Sequence, residues 1–284
     1  MQTSSNKHLI YLLGAGRSGT TLLATVLNTN SKILTLGEMH QFREHLIGEK
    51  QCSCGLALKE CEFWSEIIGQ LPKQTPEELL FSEKKESHRN IPKILLSNKS
   101  DNEYLSIQEE IFTKISNDKP NKILLDSSKY IARYLLLSKS KKINVKGIYV
   151  VRDVRGVINS FGKKVQTPRS PLSTIIYYCL INFFGQVVCW RNNRVIKVKY
   201  EDFVSDPEHE LSRIYCHVFE GKEKDMVLPE FLEMPHIIGG NRIKSEKRIV
   251  IKPDYKWRSN ISRWKQICYY LFTFPFMVIN KYKI

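Results

Sequence analysis

An apolar run, Leu9 to Leu13, leads directly into Gly14-Ala-Gly16-Arg17-Ser18-Gly19-Thr20-Thr21. Such a run, bounded by polar residues and glycine, reads as a strand covered on both faces. The glycines permit a tight turn and close backbone approach. A helix opening at Thr20 or Thr21, with Leu22, Leu23, Val26 and Leu27 on one stripe, offers its free N–H groups and dipole to whatever lies in the turn. Arg17 and three hydroxyls add to that anion site. Strand, glycine turn and helix confine the chain to α/β architectures and point to a phosphate-like ligand.

Two familiar versions of this turn fit poorly. A nucleoside-triphosphatase loop ends in Gly-Lys-Ser/Thr, and no lysine stands here. Gly14, Gly16 and Gly19 match the dinucleotide spacing, with the right strand–turn–helix context, so that reading stays open. A ligand-free turn would leave Arg17 beside a helix N-terminus that repels it.

Three further apolar runs read as strands: Ile123–Leu125, Gly147–Val151 and Val195–Val198. Helical patterns at Tyr130–Leu137, Val154–Phe161 and Glu208–Phe219 follow them. Strand–helix alternation predicts a parallel central sheet flanked by helices, and 284 residues suit a single α/β domain spanning 1–284. Residues 40–121 are too long for a structureless loop, so they read as a helical insertion over the active face, with helices at Glu77–Leu80 and Leu105–Ile115.

The net charge of +15 calls for an anionic partner. Residues 241–284 carry eleven Lys/Arg against Glu246 and Asp254. Seven cysteines, an odd number, do not form a secreted disulfide framework. Met1 to Lys7 is polar and shows no signal peptide, so a cytoplasmic protein is expected.

Gly16-Arg17-Ser18-Gly19-Thr20-Thr21-Leu22-Leu23 resembles the 5′-phosphosulfate loop of the sulfotransferase superfamily, most like the branch holding tyrosylprotein and many bacterial sulfotransferases. A second match is Ile148-Tyr-Val-Val-Arg152-Asp153-Val-Arg155-Gly156-Val-Ile-Asn-Ser160. In that family an Arg ending a strand and a Ser eight positions on hold the 3′-phosphate, which implies Arg152 and Ser160. The strand's carboxyl edge suits a ligand, and a guanidinium fork suits phosphate oxygens. Val198-Lys-Tyr200-Glu201-Asp202 resembles the segment whose Tyr lies near the adenine. His236-Ile-Ile-Gly239-Gly240-Asn241, then Asp254 and Trp257, resembles a bacterial stretch, after which Lys247, Arg248 or Lys252 should close over the nucleotide; Arg248 is taken as the candidate. The resemblance implies sulfuryl transfer from 3′-phosphoadenosine 5′-phosphosulfate to an acceptor hydroxyl, leaving adenosine 3′,5′-bisphosphate.

Fixed cations can stabilise a sulfuryl group, which carries less charge than a phosphoryl group, so no metal is expected. Glu38, after the run Ile33–Leu36 and Gly37, resembles the catalytic Glu of the tyrosylprotein branch and is the candidate base. Its carboxyl should sit high, through burial or want of a tight cation. A plain ion pair with an arginine is the structural alternative, and His40 is the second candidate base. Asp126-Ser127-Ser128-Lys129 resembles a bacterial stretch in which Lys129, with Arg17, would stabilise the leaving oxygen. A serine-capped helix with Lys129 in solvent is the plainer reading.

Cys52, Cys54 and Cys61 lack an obvious fourth ligand and read as packing thiols or one labile disulfide. Ile267–Ile279 is apolar but too short to span a bilayer. Packed helix and membrane-interface contact through 266–284, at the inner face, both stay open. The acceptor reads as a saccharide, lipid-linked saccharide or phenol, with the two saccharide classes favoured. No nucleic-acid partner is expected. The rivals are a magnesium- and nucleotide-dependent kinase and a non-catalytic anion- or membrane-binding module, whose affinity would collapse with salt.

Overall fold

The computed structural model describes residues 7–71, 75–163, 168–221, 228–240, 246 and 248–284. The opening apolar run becomes β1 (Lys7–Gly14), buried from Leu9 onward. With β2 (Ile33–Gly37), β3 (Ile123–Lys129), β4 (Ile143–Val151) and β5 (Val195–Lys199) it forms a five-stranded parallel sheet ordered β2-β3-β1-β4-β5. β1 pairs with β3 at Leu9↔Leu124, Ile10↔Leu125 and Tyr11↔Asp126, and the register then shifts so that Leu13 meets Lys129. β2 pairs with β3 at Ile33↔Ile123 and shifts likewise before Gly37↔Asp126. Both irregularities fall at carboxyl strand ends, where α/β sheets present side chains to ligands.

Four expected strands are present, and β2 is a fifth that the apolar-run pattern did not count. The stretch Asp126–Lys129, expected to follow the strand, lies within β3. Those polar residues are tolerated because Asp126 Oδ1 accepts from Ser128 N (2.9 Å) and from the Ser128 hydroxyl. No serine caps the next helix, α7 (Ile131–Leu137), whose N-cap is Tyr130.

The chain forms two compact units. The first holds Met1–Leu13, Thr21–Gly147 and Leu228–Ile249. It contains α2 (Phe42–Ile47), α3 (Glu62–Gly69), α4 (Pro76–Glu86), α5 (Ile91–Leu96) and α6 (Asn102–Asp118) between β2 and β3. Local signals start the two longest: Thr75 and Glu78 form a capping box before α4, and Asp101 accepts from Tyr104 N at α6.

The second unit holds Gly14–Thr20, Ile148–Val227 and Val250–Ile284. After β4 comes α8 (Val154–Phe161), then α9 (Pro171–Arg191), and after β5 come α10 (Tyr200–Ser205) and α11 (Pro207–Phe219). Among the described residues α9 alone is long and apolar enough to cross a membrane, yet 44% of that stretch is buried. One face packs inward: Tyr149 donates to Asn182 Oδ1 (2.7 Å), Tyr178 donates to the Arg152 carbonyl (2.9 Å), and the Tyr149 ring fills the space a Cβ on Gly185 would take, while Leu172, Ile176, Phe183 and Trp190 on the other face are exposed. The C-terminal apolar stretch is two helices, α13 (Arg263–Phe272) and α14 (Phe274–Ile279), after a short α12 (Trp257–Asn260). Tyr270, Met277 and Tyr282 are buried; Trp264, Leu271, Phe272, Phe274 and Val278 are exposed.

Candidate active site

The anion loop of the second unit is shaped by its main chain. Gly14 (φ +144°) lies so close to the Val150 carbonyl that a Cβ would stand 2.3 Å from that oxygen. Gly19 (φ +91°) faces the Tyr200 ring, which a Cβ would meet at 2.3 Å. Arg17 itself is left-handed, at φ +69°. Its Nε donates to Ser160 Oγ (2.9 Å), and its carbonyl accepts from Arg152 Nη1 (3.0 Å). Gly16 N donates to Tyr177 Oη (2.8 Å). Thr20 and Thr21 open α1 (Thr20–Leu27) and are buried.

Arg152 is the hub of this unit. Its guanidinium lies 4.2 Å from the Tyr200 ring centroid, and Nη2 donates to Asp254 Oδ2 (3.1 Å). Gly156 leaves it room, since a Cβ there would approach Arg152 Nε to 3.0 Å. Burial pushes the Asp254 carboxyl up, but the charge and hydrogen bond of Arg152 outweigh it and hold Asp254 below the usual carboxylate range. Burial pushes Glu201 above that range, although Tyr282 Oη (2.8 Å) and Asp153 N (3.1 Å) both donate to it. Arg155 clamps Asp153 (Nη2–Oδ2 2.6 Å), donates to the Lys283 carbonyl (2.7 Å) and lies 4.2 Å from the Trp257 ring centroid. The sequence marked Arg155 and Asp254 only as members of motifs.

The buried Ser18 Oγ has no hydrogen-bond partner within the protein. A buried hydroxyl normally has one, and this one sits in a glycine turn just before a helix N-terminus. The loop therefore fits an oxyanion ligand on its own evidence.

In the first unit Glu38 follows Gly37 (φ +85°) at the end of β2 and is 6% exposed. Its backbone N–H donates to the Ile238 carbonyl (2.7 Å), and Ile238 N donates to Leu36 O (3.0 Å). Its carboxylate accepts from Gln41 Nε2 (2.9 Å), Gly240 N (3.2 Å) and Lys129 Nζ. The expected burial is present, whereas the expected freedom from a tight cation is not. The partner is Lys129 rather than an arginine, and Lys129 does not face solvent, because the register shift of β3 and its own left-handed backbone (φ +71°) accompany its turn toward Glu38.

Behind this pair lies a buried ionic network. Arg133, 1% exposed, donates to Asp126 Oδ2 (2.9 Å), Glu86 Oε1 (2.6 Å) and Gln108 Oε1 (2.9 Å). Asp126 in turn accepts from Met39 N (3.3 Å) and from Ser128, next to Lys129. Sequence reasoning passed over Arg133; a lone arginine in the apolar helix Ile-Ala-Arg-Tyr-Leu-Leu-Leu was the signal. His40 stacks on Tyr130 (4.4 Å between centroids), with Nδ1 buried and unpartnered. Burial, then the charges of Lys129 and Arg133, holds it well below the usual histidine range.

Arg248, exposed, lies over the Phe231 ring at 5.3 Å within the first unit. Lys252 is exposed in the second unit. Lys247 and Asn241 fall outside the described residues. The three clustered cysteines do have a fourth partner, contrary to expectation: His236 joins Cys52, Cys54 and Cys61, with all ligand atoms within 4.8 Å of one another. It lies 175 residues beyond Cys61 in the chain, so local spacing could not reveal it.

The sequence pattern of the Sulfotransferase family matches residues 10–218. The chain belongs to the sulfotransferase family. A comparison with curated proteins returns no match. Among solved structures, the sulfotransferase domain from the curacin biosynthetic pathway is 17% identical, with TM-score 0.48 over 98% of this chain and 99% of that one. Sulfotransferase STF1 from Mycobacterium tuberculosis H37Rv is 13% identical, with TM-score 0.45 over 76% and 68%. STF9 from Mycobacterium avium is 12% identical, with TM-score 0.41 over 75% and 64%. These likenesses are too distant to carry function, and membership rests on the sequence match. For this sulfotransferase, membership and the lysine-free loop together set the kinase reading aside.

Proposed function

We propose that this sulfotransferase takes its sulfuryl group from 3′-phosphoadenosine 5′-phosphosulfate, held by the second-unit residues Gly16–Thr20 with Arg152 and Ser160, and by Thr21. The convergence of Arg17, Arg152 and Ser160 beside the orphaned Ser18 hydroxyl carries this reading. The Tyr200 ring, already under the Arg152 guanidinium, is assigned to the adenine side, and Arg248 to closing over the nucleotide. The donor supplies an activated sulfur whose bond to the bridging phosphate oxygen breaks as the acceptor oxygen bonds to it.

Glu38 takes the acceptor's proton. Lys129, its ion-pair partner, is assigned to the negative charge that develops on the leaving oxygen. Arg17 is assigned to the donor's phosphosulfate within its own loop, and the products are a sulfate ester and adenosine 3′,5′-bisphosphate.

Calorimetry with adenosine 3′,5′-bisphosphate in magnesium-free buffer tests the donor. Saturable binding that Arg152→Ala abolishes is expected; preference for ATP with magnesium overturns it. Glu38→Gln should lower turnover by roughly 10²–10⁴-fold and leave that binding intact. Unchanged turnover removes Glu38 from the base role.

For the acceptor we propose a saccharide or lipid-linked saccharide met at an anionic membrane face. The exposed Trp264, Leu271, Phe272, Phe274 and Val278, flanked by Arg263, Lys265, Lys281 and Lys283, support membrane contact. Residues 282 and 283 are tied to Glu201 and Arg155, so point changes are the cleaner probe. Trp264→Ser with Phe272→Ser should abolish flotation with phosphatidylserine-containing liposomes; equal flotation sinks the membrane contact.

A further inference from the structure

The strand-end strap that holds Glu38 is joined to a cysteine loop, and the join has the chemistry of a metal site. A tight turn folds Gln51–Ala57: Cys52 N donates to Leu56 O (2.8 Å), Gly55 N donates to Cys52 O (3.0 Å), and Gly55 is left-handed (φ +91°). Ser53 then grips the neighbourhood of His236, its hydroxyl donating to the Pro235 carbonyl (2.6 Å) and accepting from Ile237 N (3.0 Å). His236 Nδ1 lies 3.2 Å from Cys61 Sγ and 4.0 Å from Cys52 Sγ, and Cys54 Sγ completes the group within 4.8 Å. Phe63 stacks on the imidazole (6.1 Å, 23°) and fixes its plane.

Three thiols around one imidazole nitrogen are not explained by hydrogen bonding, because one Nδ1 makes a single bond to one of them. Burial accounts for Cys52 and Cys61, at 2% and 0% exposure, but not for Cys54, which is exposed and still turned into the cluster. None of the three is in a disulfide. Zn–S bonds of about 2.3 Å and Zn–N bonds of about 2.0 Å put tetrahedral ligands roughly 3.5–3.8 Å apart, a range that the 3.2 Å and 4.0 Å contacts of His236 bracket.

We infer that Cys52, Cys54, Cys61 and His236 bind one zinc ion as a closed Cys₃His site. Four protein ligands leave no position for water or substrate, so the ion is structural. Its four ligands come from two chain segments, and the second continues as Ile238-Gly239-Gly240. There Ile238 O accepts from Glu38 N and Gly240 N donates to the Glu38 carboxylate. The ion therefore positions Glu38 through this strap without touching substrate. Zinc binding itself does not depend on the donor or the base assigned above.

Untagged full-length protein, purified without chelator, should carry about one zinc per chain by elemental analysis. Cobalt replacement should give the thiolate charge-transfer and tetrahedral ligand-field bands of a sulfur-rich site. Cys54→Ser should lose zinc to a chelator that the parent resists, whereas Cys216→Ser, an exposed cysteine outside the cluster, should not. Native thiol alkylation should spare the three cluster cysteines until chelator is added. Metal-free protein with an unaltered melting curve, or cobalt uptake without the thiolate band, overturns the site, as does a Cys52–Cys61 disulfide found by mass spectrometry in protein prepared under reducing conditions.

Discussion

In the second unit the groups around Arg152 are set by main-chain geometry: Gly14 and Gly19 in conformations that side chains rarely take, Arg17 left-handed, and Gly156 leaving clearance. In the first unit Glu38 and Lys129 are placed by side chains from distant segments. Glu86 of α4 and Gln108 of α6 hold Arg133, Arg133 holds Asp126, and Asp126 holds Ser128 beside Lys129. One site rests on loop backbone braced by Ser160, Tyr177 and Arg152 from later in the chain, the other on a network of buried charged side chains. They should therefore fail differently: the first by loss of ligand affinity, the second by loss of fold.

The sharpest break is Glu86→Ala. It leaves Arg133 buried without its closest carboxylate, and urea unfolding should show a loss of about 3–5 kcal/mol; a change under 1 kcal/mol would mean the network is not what frames this unit. Gly19→Ala should do the opposite, forcing strain of about 1–3 kcal/mol into the loop against Tyr200. Adenosine 3′,5′-bisphosphate affinity should fall tenfold or more while zinc content stays constant. Arg152→Lys keeps the charge but loses the fork over Tyr200 and toward Arg17 O, and should weaken that binding by roughly tenfold. Equal affinity would reduce Arg152 to a point charge.

The smallest effect is in pH. Unfolding returns His40 from its depressed native value to about 6.5, so between those values the unfolded chain holds a proton the native chain does not. Stability should fall as pH drops through about 6.5, by up to about 1.4 kcal/mol per unit, and level off below the native value. His40 faces Lys129, Arg133, His45 and His88, none of which supplies a compensating anion. His40→Gln should flatten the slope; an unaltered slope assigns it elsewhere.

The same contrast governs what could be read from the sequence. α1 and α8 run over the expected residues, Thr20–Leu27 and Val154–Phe161, because strand, cap and stripe are local signals. β2 escaped because only a short turn and the six-residue α2 follow it, too brief to show an amphipathic stripe. α9 escaped because it is apolar on nearly every side and so lacks a 3.6-residue stripe. Glu38 and Lys129 were each marked, but their pairing spans 91 residues and depends on a register shift that no periodicity encodes. His236 as a partner of the cysteines was hidden for the same reason.

Tyr177 has a consequence for how a ligand meets the loop. Its hydroxyl accepts from Gly16 N, as the Arg17 carbonyl accepts from Arg152. The turn is thus wound to its final pitch by α9 and β4, with little left for an anion to rearrange. An incoming anion spends little of its binding free energy on ordering the chain, so association should carry a small entropic penalty. Any change of α9 sequence that shifts Tyr177 would also retune the loop's grip on the proposed donor, which couples the evolution of that helix to the loop it braces.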